Sequence, residues 1–250
     1  MGKNSGIEWT DHTFNPWWGC EKVSPACDLC YAESSAKRWG HDVWGKDSPR
    51  RFFGDKHWGE PLKWDMEANK AKTRAKVFCA SMADVFEDRA DLEPHRQRLW
   101  KLIEKTTSLD WLLLTKRPEN IGKMAPWGYN SPWPYNVWMG TTAENQRRFD
   151  ERMRHLGAIP AAIRWISYEP ALGPVSVAEW NGVIQWVIIG GESGAGCRPM
   201  KYEWATDLIE ECRERDIAPF VKQLGGHPDK RHDVTEFPKD LQVRDFPHVA

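Results

Sequence analysis

Three cysteines stand in the stretch NPWWGCEKVSPACDLCYAE, Asn15 to Glu33, spaced C-x6-C-x2-C at Cys20, Cys27 and Cys30. Thiolates grouped in this way bind soft metals, and three of them admit three readings. A structural zinc ion would take His12, His41 or an acid as fourth ligand. The C-x2-C half fits zinc, but the usual second C-x2-C or H-x3-H pair is missing. Inert buried cysteines would explain the grouping without chemistry. An iron–sulfur cluster on three thiolates would leave one iron open to an outside ligand, and an open position is what a catalytic metal site needs. The other cysteines, Cys79, Cys197 and Cys212, are scattered singly, and their default role is that of small buried hydrophobes.

Further reactive side chains close a series of short apolar runs. KVFCASMADVF, DWLLLTKRP, NVWMGTTAEN, AIRWISYEPALGPV, VIQWVIIGGESG and APFVKQLGG each begin continuously apolar and stop in polar residues. Those residues are Ser81 and Asp84; Thr115, Lys116 and Arg117; Thr141, Thr142 and Glu144; Ser167, Tyr168 and Glu169; Glu192 and Ser193; Lys222 and Gln223. Helix capping accounts for one such residue. It does not call for Lys, Glu and Gln at successive ends, so a shared ligand site is the better reading. GGESGAG, Gly190 to Gly196, could turn backbone N–H groups toward an anion or cofactor. It matches neither standard phosphate motif, and a tight turn explains it equally well.

The elements that must carry these residues follow from the same runs. Continuous apolar stretches predict strands buried on both faces. Helical patterns lie between them: LEPHRQRLWKLIEKT with Pro94 near its start, NQRRFDERMRHLG ending at Gly157, and WATDLIEECRERD. Strands alternating with helices predict an α/β fold with a parallel sheet. Six or seven such units in 250 residues make a single-domain partial or full (β/α) barrel the leading architecture, with a doubly wound open sheet as the alternative. In a parallel barrel the C-terminal strand ends surround one mouth, where ligands bind. The barrel is expected over residues 1–225, with the cysteine loop at 19–33. An irregular insertion is expected at about 36–74, after a helix that follows the loop, and an extended polar tail at 226–250. Phe237, Leu241, Val243 and Phe246 are the tail residues able to dock.

Composition narrows the partners. The formal net charge is −1, so no global field draws the chain to nucleic acid or membrane, although a local basic face remains open. No apolar run is long enough to cross a bilayer. The N-terminus MGKNSGIEWTD lacks an apolar h-region. The expectation is a cytoplasmic protein without disulfides.

Gly19-Cys20 followed by Cys27, Cys30, Tyr31 and Ala32 resembles the cluster loop of the radical S-adenosylmethionine (SAM) superfamily. NPWWGC with C-x2-CYA is similar to its spore photoproduct lyase-like branch. ASMADVFE, Ala80 to Glu87, with Glu93 downstream, resembles that branch's strand ending in Thr-Asp-Pro-Tyr, and LLLTKRP resembles its next strand, which ends in Thr-Lys. Over nearly its full length, through NPWWGC, CYAE, YEPALGP, GGESG and VKQLG, the chain is most similar to the uncharacterised phage Gp37/Gp68-type family.

The resemblance implies a barrel of the radical SAM type with a [4Fe-4S] cluster on Cys20, Cys27 and Cys30. SAM would chelate the open iron. Its reductive cleavage would give a 5′-deoxyadenosyl radical that abstracts hydrogen from a substrate. Cofactor contacts are expected from Tyr31, Ser81, Asp84, Thr142, Glu192, Ser193 and Lys222, and catalytic roles from Lys116 and Glu169. Cys79 and Cys197 are candidate hydrogen-atom donors. An external flavodoxin- or ferredoxin-like protein would supply electrons. Two departures stand out. The family's usual spacing is C-x3-C-x2-C, and its Gly-Gly-Glu follows the second strand, whereas here that tripeptide is Gly190 to Glu192, so its role is not transferred.

The branch also implies a DNA or RNA substrate for lesion repair or base modification. Lys116, Arg117, Arg147, Arg148, Arg152 and Arg154 could meet phosphates, and exposed Trp127, Trp133 or Trp138 could stack on bases. Interleaved Glu144, Asp150 and Glu151 make a salt-bridged surface helix the competing reading of Arg147–Arg154. The rival function is a non-catalytic zinc, iron–sulfur or nucleic-acid-binding module of phage origin.

Overall fold

A computed structural model describes residues 2–129, 133–194, 196–225 and 231–248. In chain order the first elements are β1 (His12–Thr13), β2 (Trp17–Trp18), helix α1 (Tyr31–Arg38), β3 (Arg51–Phe52), and helices α2 (Asp55–Trp58) and α3 (Glu60–Ala71). Then come β4 (Ala75–Cys79), α4 (Glu93–Lys105), β5 (Leu109–Thr115), α5 (Ile121–Met124), β6 (Val137–Thr142) and α6 (Gln146–Leu156). The last are β7 (Ile163–Tyr168), β8 (Trp186–Gly190), α7 (Tyr202–Glu214) and β9 (Ala218–Gln223).

Seven strands form one sheet in the order β1-β4-β5-β6-β7-β8-β9, and β2 and β3 form an antiparallel pair apart from it. The pairings β1–β4, β4–β5, β7–β8 and β8–β9 are parallel. Within this sheet the order follows the chain, and among the described residues it runs from β1 to β9 without closing. The fold is therefore the expected α/β type, a parallel sheet of partial-barrel form rather than a full barrel. The continuous apolar runs did mark strands buried on both faces: every residue of β6 and β8 is buried, and β5 is exposed in part only at Leu114.

Contacts divide the chain into two compact units. The first comprises Met1–Val23, Ala32–Met139 and Ile159–Ala162. Its core holds Phe14, Trp17, Val77, Phe86, Leu99, Trp100, Ile103, Trp111 and Leu112. Asp110, buried on β5, is satisfied by a two-pronged pair with the partly exposed Arg74, the shortest contact 2.6 Å. Residues 36–74 are more regular than the sequence suggests, since they contain β3, α2 and the twelve-residue α3. Helix α3 buries Pro61, Trp64 and Ala68 but leaves Leu62 and Met66 exposed, so its apolar residues mark no single face.

The second unit comprises Ser24–Tyr31, Gly140–Ala158 and Ile163–Ala250. It is built around Phe149, Trp165, Tyr168, Trp186, Val187, Ile188 and Phe220. Helix α6 starts at Asn145, whose side chain accepts the Arg148 N–H, and stops at Gly157 as expected. After residue 230 the chain packs on β9. The Val221 N–H donates to the Val243 carbonyl, Phe237, Leu241 and Val243 are buried, and Phe246 lies against Trp186 and Phe220. Among the described residues no helix is long and apolar enough to cross a membrane.

Candidate functional site

In the first unit the chain leading to Cys20 runs beside β4 and continues past its end. The Phe14 N–H donates to the Phe78 carbonyl, and Asn15 clasps the loop after β4, accepting from the Met82 N–H at 2.7 Å and donating to Ser81 Oγ at 3.0 Å. The Gly19 N–H donates to the Met82 carbonyl, and Gly19 forms a parallel bridge with Ala83. Gly19 has φ +114°, and a Cβ there would lie 2.3 Å from the Val43 carbonyl oxygen, so only glycine fits. Cys20 is thus delivered to the C-terminal end of β4, where the sequence reading expects a ligand site.

The Cys20 sulfur meets Arg117, which follows β5. Arg117 Nη1 donates to Cys20 Sγ at 3.5 Å and to Asp84 Oδ2 at 2.9 Å, while Nη2 donates to the Glu21 carbonyl at 2.8 Å. Asp84 is held in turn by Thr115 Oγ1 (2.7 Å), the Phe86 N–H (3.0 Å) and the Lys116 N–H (3.1 Å). Burial pushes the Cys20 thiol up to about 12, with Asp84 adding to the shift and Arg117 opposing it. Burial works against the Arg117 charge as well, but Asp84 and Cys20 outweigh it and hold the guanidinium pKa above its usual value.

A second buried ion pair braces this arrangement. Arg50 donates through Nη2 and Nε to Glu87 and through Nη1 and Nη2 to the carbonyls of Val43, Ser48 and Gly45. Gly45 N–H in turn donates to the Cys20 carbonyl at 3.0 Å. Arg96 holds the carbonyls of Val85 and Glu87. Cys79, at the end of β4, is fully enclosed, and burial alone raises its thiol pKa.

In the second unit, Pro25–Cys27 forms a single 3-10 turn that buries Cys27, and Cys30 is half-buried just before α1. Tyr31, which begins α1, is exposed. Arg198 reaches this turn, donating from Nη2 to the Pro25 carbonyl at 2.8 Å and lying 3.4 Å from Asp28. Its other contacts are with Glu192, which accepts from Arg198 Nε and from the Arg198 backbone N–H, both at 2.9 Å. Glu192 is therefore occupied. Ser193 beside it is half-buried, and Cys197 is buried. Glu169 and Lys222, at the ends of β7 and β9, pair at 2.6 Å and remain partly exposed. Glu144 and Arg152 pair at 2.7 Å, both buried. Glu144 Oε1 and Thr142 Oγ1 are buried with no hydrogen-bond partner.

Several expectations need correction. Trp127, Trp133 and Trp138 are buried and present no stacking surface. Trp127 Nε1 donates to Glu104, Trp133 Nε1 donates to the Gly128 carbonyl, and the two rings pack together. Arg117 and Arg152 are buried in ion pairs, and Arg147 and Arg148 both pair with Glu151, so most of the anticipated phosphate contacts are already engaged. Of the proposed zinc ligands, His12 accepts from the Asn4 N–H and stacks on Trp64, and His41 packs on Trp18. Among the described residues no three His, Cys, Asp or Glu side chains converge on one ion position. Sequence reasoning missed Arg50 and Arg198; Arg198 stands six positions after Glu192, whereas the acid that Arg50 meets lies 37 positions along the chain, where the sequence offers no signal.

A family model described as "Protein of unknown function (DUF5131)" matches residues 4–246. No curated protein matches the chain. Among solved structures, a spore photoproduct lyase double mutant with bound AdoMet and dinucleoside spore photoproduct is similar over 94% of this chain and 66% of its own, at 12% identity and a TM-score of 0.52. A single mutant of spore photoproduct lyase is similar over 93% and 65%, again at 12% identity and a TM-score of 0.52. The likeness is one of fold, and the chain spans just under two thirds of the length of those enzymes.

Proposed function

The chain belongs to the DUF5131 family, and from the fold it shares with spore photoproduct lyase and the thiols it carries we propose that it is a radical SAM enzyme. Cys20, Cys27 and Cys30 would hold a [4Fe-4S] cluster. Cluster and SAM together would supply reductive cleavage of SAM and a carbon radical that abstracts hydrogen from the substrate. The observation that carries the reading is the free Cys20 sulfur against the buried Arg117 guanidinium, at the strand end where a ligand site is expected.

Arg117 is the group that suits Cys20 to an iron-bound thiolate, against the burial that favours the thiol in the metal-free chain. As a thiol, Cys20 donates to the Glu21 carbonyl at 3.3 Å. Loss of that proton leaves the carbonyl satisfied, because Arg117 Nη2 also donates to it. The guanidinium then faces the negative sulfur. Cluster thiolates bond to different irons, so they need no common ion position of the kind zinc demands.

The remaining roles divide by what each side chain already holds. Asp84 spends its oxygens on Arg117, Thr115 and two backbone N–H groups, so its part is to orient Arg117. Glu192 orients Arg198. Lys116, Ser193, the Glu169–Lys222 pair and the unpartnered oxygens of Glu144 and Thr142 would meet SAM or substrate, together with Ser81 and Tyr31, which hold partners of their own. Residues 1–225 would form the catalytic body and 226–250 an extended tail, of which 226–230 and 249–250 lie outside the described residues, with an external one-electron donor. The kinship with the phage Gp37/Gp68-type group belongs to this proposal too.

The substrate we propose is a nucleic acid carrying a damaged or modifiable base. Its support is the dinucleoside spore photoproduct bound in one similar structure. Anaerobic purification tests the enzyme reading. It expects a brown protein with about four irons per chain and SAM cleavage after dithionite reduction. A colourless protein holding one zinc would overturn it. Binding of DNA and RNA across a salt series tests the substrate class, and absence of any salt-dependent binding would sink it.

A further inference from the structure

We infer that Arg117 is a positioning and tuning residue that raises the reduction potential of the cluster through its hydrogen bond to Cys20. The inference rests on the radical SAM reading above and deepens it by assigning the control of that site's redox poise.

Three features of the geometry carry it. Arg117 approaches the sulfur itself, at 3.5 Å, and not merely the loop around it. An N–H donor and a positive charge at a ligating sulfur draw electron density from the metal. They favour the reduced state, which carries one more negative charge. The guanidinium is also buried, with a side chain only 8% exposed, so solvent and salt screen its charge weakly. Finally, it cannot swing away. Asp84 and the Glu21 carbonyl fix two of its nitrogens, and Asp84 is itself fixed by Thr115 and two backbone N–H groups. A lysine would place a charge here without this fork.

Asp84 limits the effect, because its negative charge offsets part of the field of Arg117 at the sulfur. The net influence is that of a short dipole with its positive end on Cys20. Removing Arg117 alone would leave Asp84 buried and uncompensated, which both weakens the fold and repels an incoming electron. Removing both charges isolates the effect of the hydrogen bond and dipole from that penalty.

The test uses the full chain, reconstituted anaerobically with iron and sulfide and free of SAM. Its midpoint is read by electron paramagnetic resonance during titration with dithionite, which supplies the single electron. Arg117→Gln and the paired Asp84→Asn/Arg117→Gln variant are compared with the wild type. Both variants are expected to hold the wild-type complement of iron and sulfide. Both midpoints should be more negative by a tenfold or greater change in the reduction equilibrium, about 59 mV for one electron. If Arg117→Gln does not fold, the paired variant alone decides.

A paired variant with an unchanged or more positive midpoint would overturn the inference while leaving the enzyme reading intact. A natively folded paired variant that binds no iron would also overturn it, because Arg117 would then be needed to hold the cluster rather than to tune it. A wild-type chain that forms no iron–sulfur cluster would overturn both readings.

Discussion

Arg50 Nη2 lies 2.6 Å from Glu87 Oε1, in an ion pair whose side chains are 0% and 2% exposed. The same guanidinium ties down the carbonyls of Val43, Gly45 and Ser48, and Gly45 holds the Cys20 carbonyl. A charge left alone in that setting is costly, because removing one partner of a buried pair forfeits about 3–5 kcal/mol. Glu87→Ala should therefore lower unfolding free energy by about that amount in denaturant melts. Glu87→Gln, which keeps one acceptor, should lose less. Equal melts for wild type and Glu87→Ala would show that the pair does not brace the cysteine segment.

Gly19 precedes Cys20 and has a conformation and a neighbour that exclude a side chain. Gly19→Ala must move the Val43 carbonyl or the Cys20 segment itself. The cost should be about 1–3 kcal/mol of stability from the clash and the unfavourable φ. Iron content after anaerobic reconstitution should fall further than the melt predicts, because the displacement falls on a ligand. An alanine variant with wild-type iron content would contradict this.

The sheet was legible because its strands are apolar on both faces. Val183 to Ile189 reads as a core strand from composition alone, and the strand that forms there, Trp186–Gly190, is buried throughout. The strand-end residues were legible as a change from apolar to polar type, although Asp84, Thr115, Thr142, Glu144, Glu192 and Gln223 all stay buried. Helix α3 was hidden by Leu62 and Met66, apolar residues on its exposed side, which blur the helical period set by Trp64 and Ala68. Trp127 and Trp133 misled in the opposite sense. Prolines around them signal loops, but a loop can fold its rings inward once Glu104 and a carbonyl satisfy the indole N–H groups. Arg50, Arg117 and Arg198 look like any other solvated arginine in sequence. Their meaning lies in which acid each one meets, and that is a property of the fold.

His12 sets a pH dependence. Burial leads in holding its imidazole pKa below the ordinary value of 6.5, and the Asn4 N–H donates to its Nδ1, which suits the neutral ring. The folded state therefore resists a proton that the unfolded chain accepts. The contribution is fully present above pH 6.5 and is lost as pH falls through the lowered folded value. Thermal melts should show the wild type losing more stability than His12→Gln between about pH 7.5 and pH 5.5. Parallel losses in the two proteins would remove His12 as a contributor.

The six cysteines separate into functional and packing sets. Cys212 is buried on α7 and lies outside the cysteine loop, so its part is packing. Cys212→Ala should cost about 1 kcal/mol of packing and leave iron binding untouched. Cys79 is as enclosed, so Cys79→Ala should likewise reduce stability modestly while preserving SAM cleavage by the loaded enzyme. Cys20→Ala, Cys27→Ala and Cys30→Ala should each abolish the cluster's absorbance, with melts of the metal-free chain shifted far less than the Glu87→Ala melt. Cys27 is the most discriminating of the three, because its buried position on the 3-10 turn would make an inert residue there a packing element only. Full iron and sulfide in the Cys27→Ala chain would return all three thiols to that bland role.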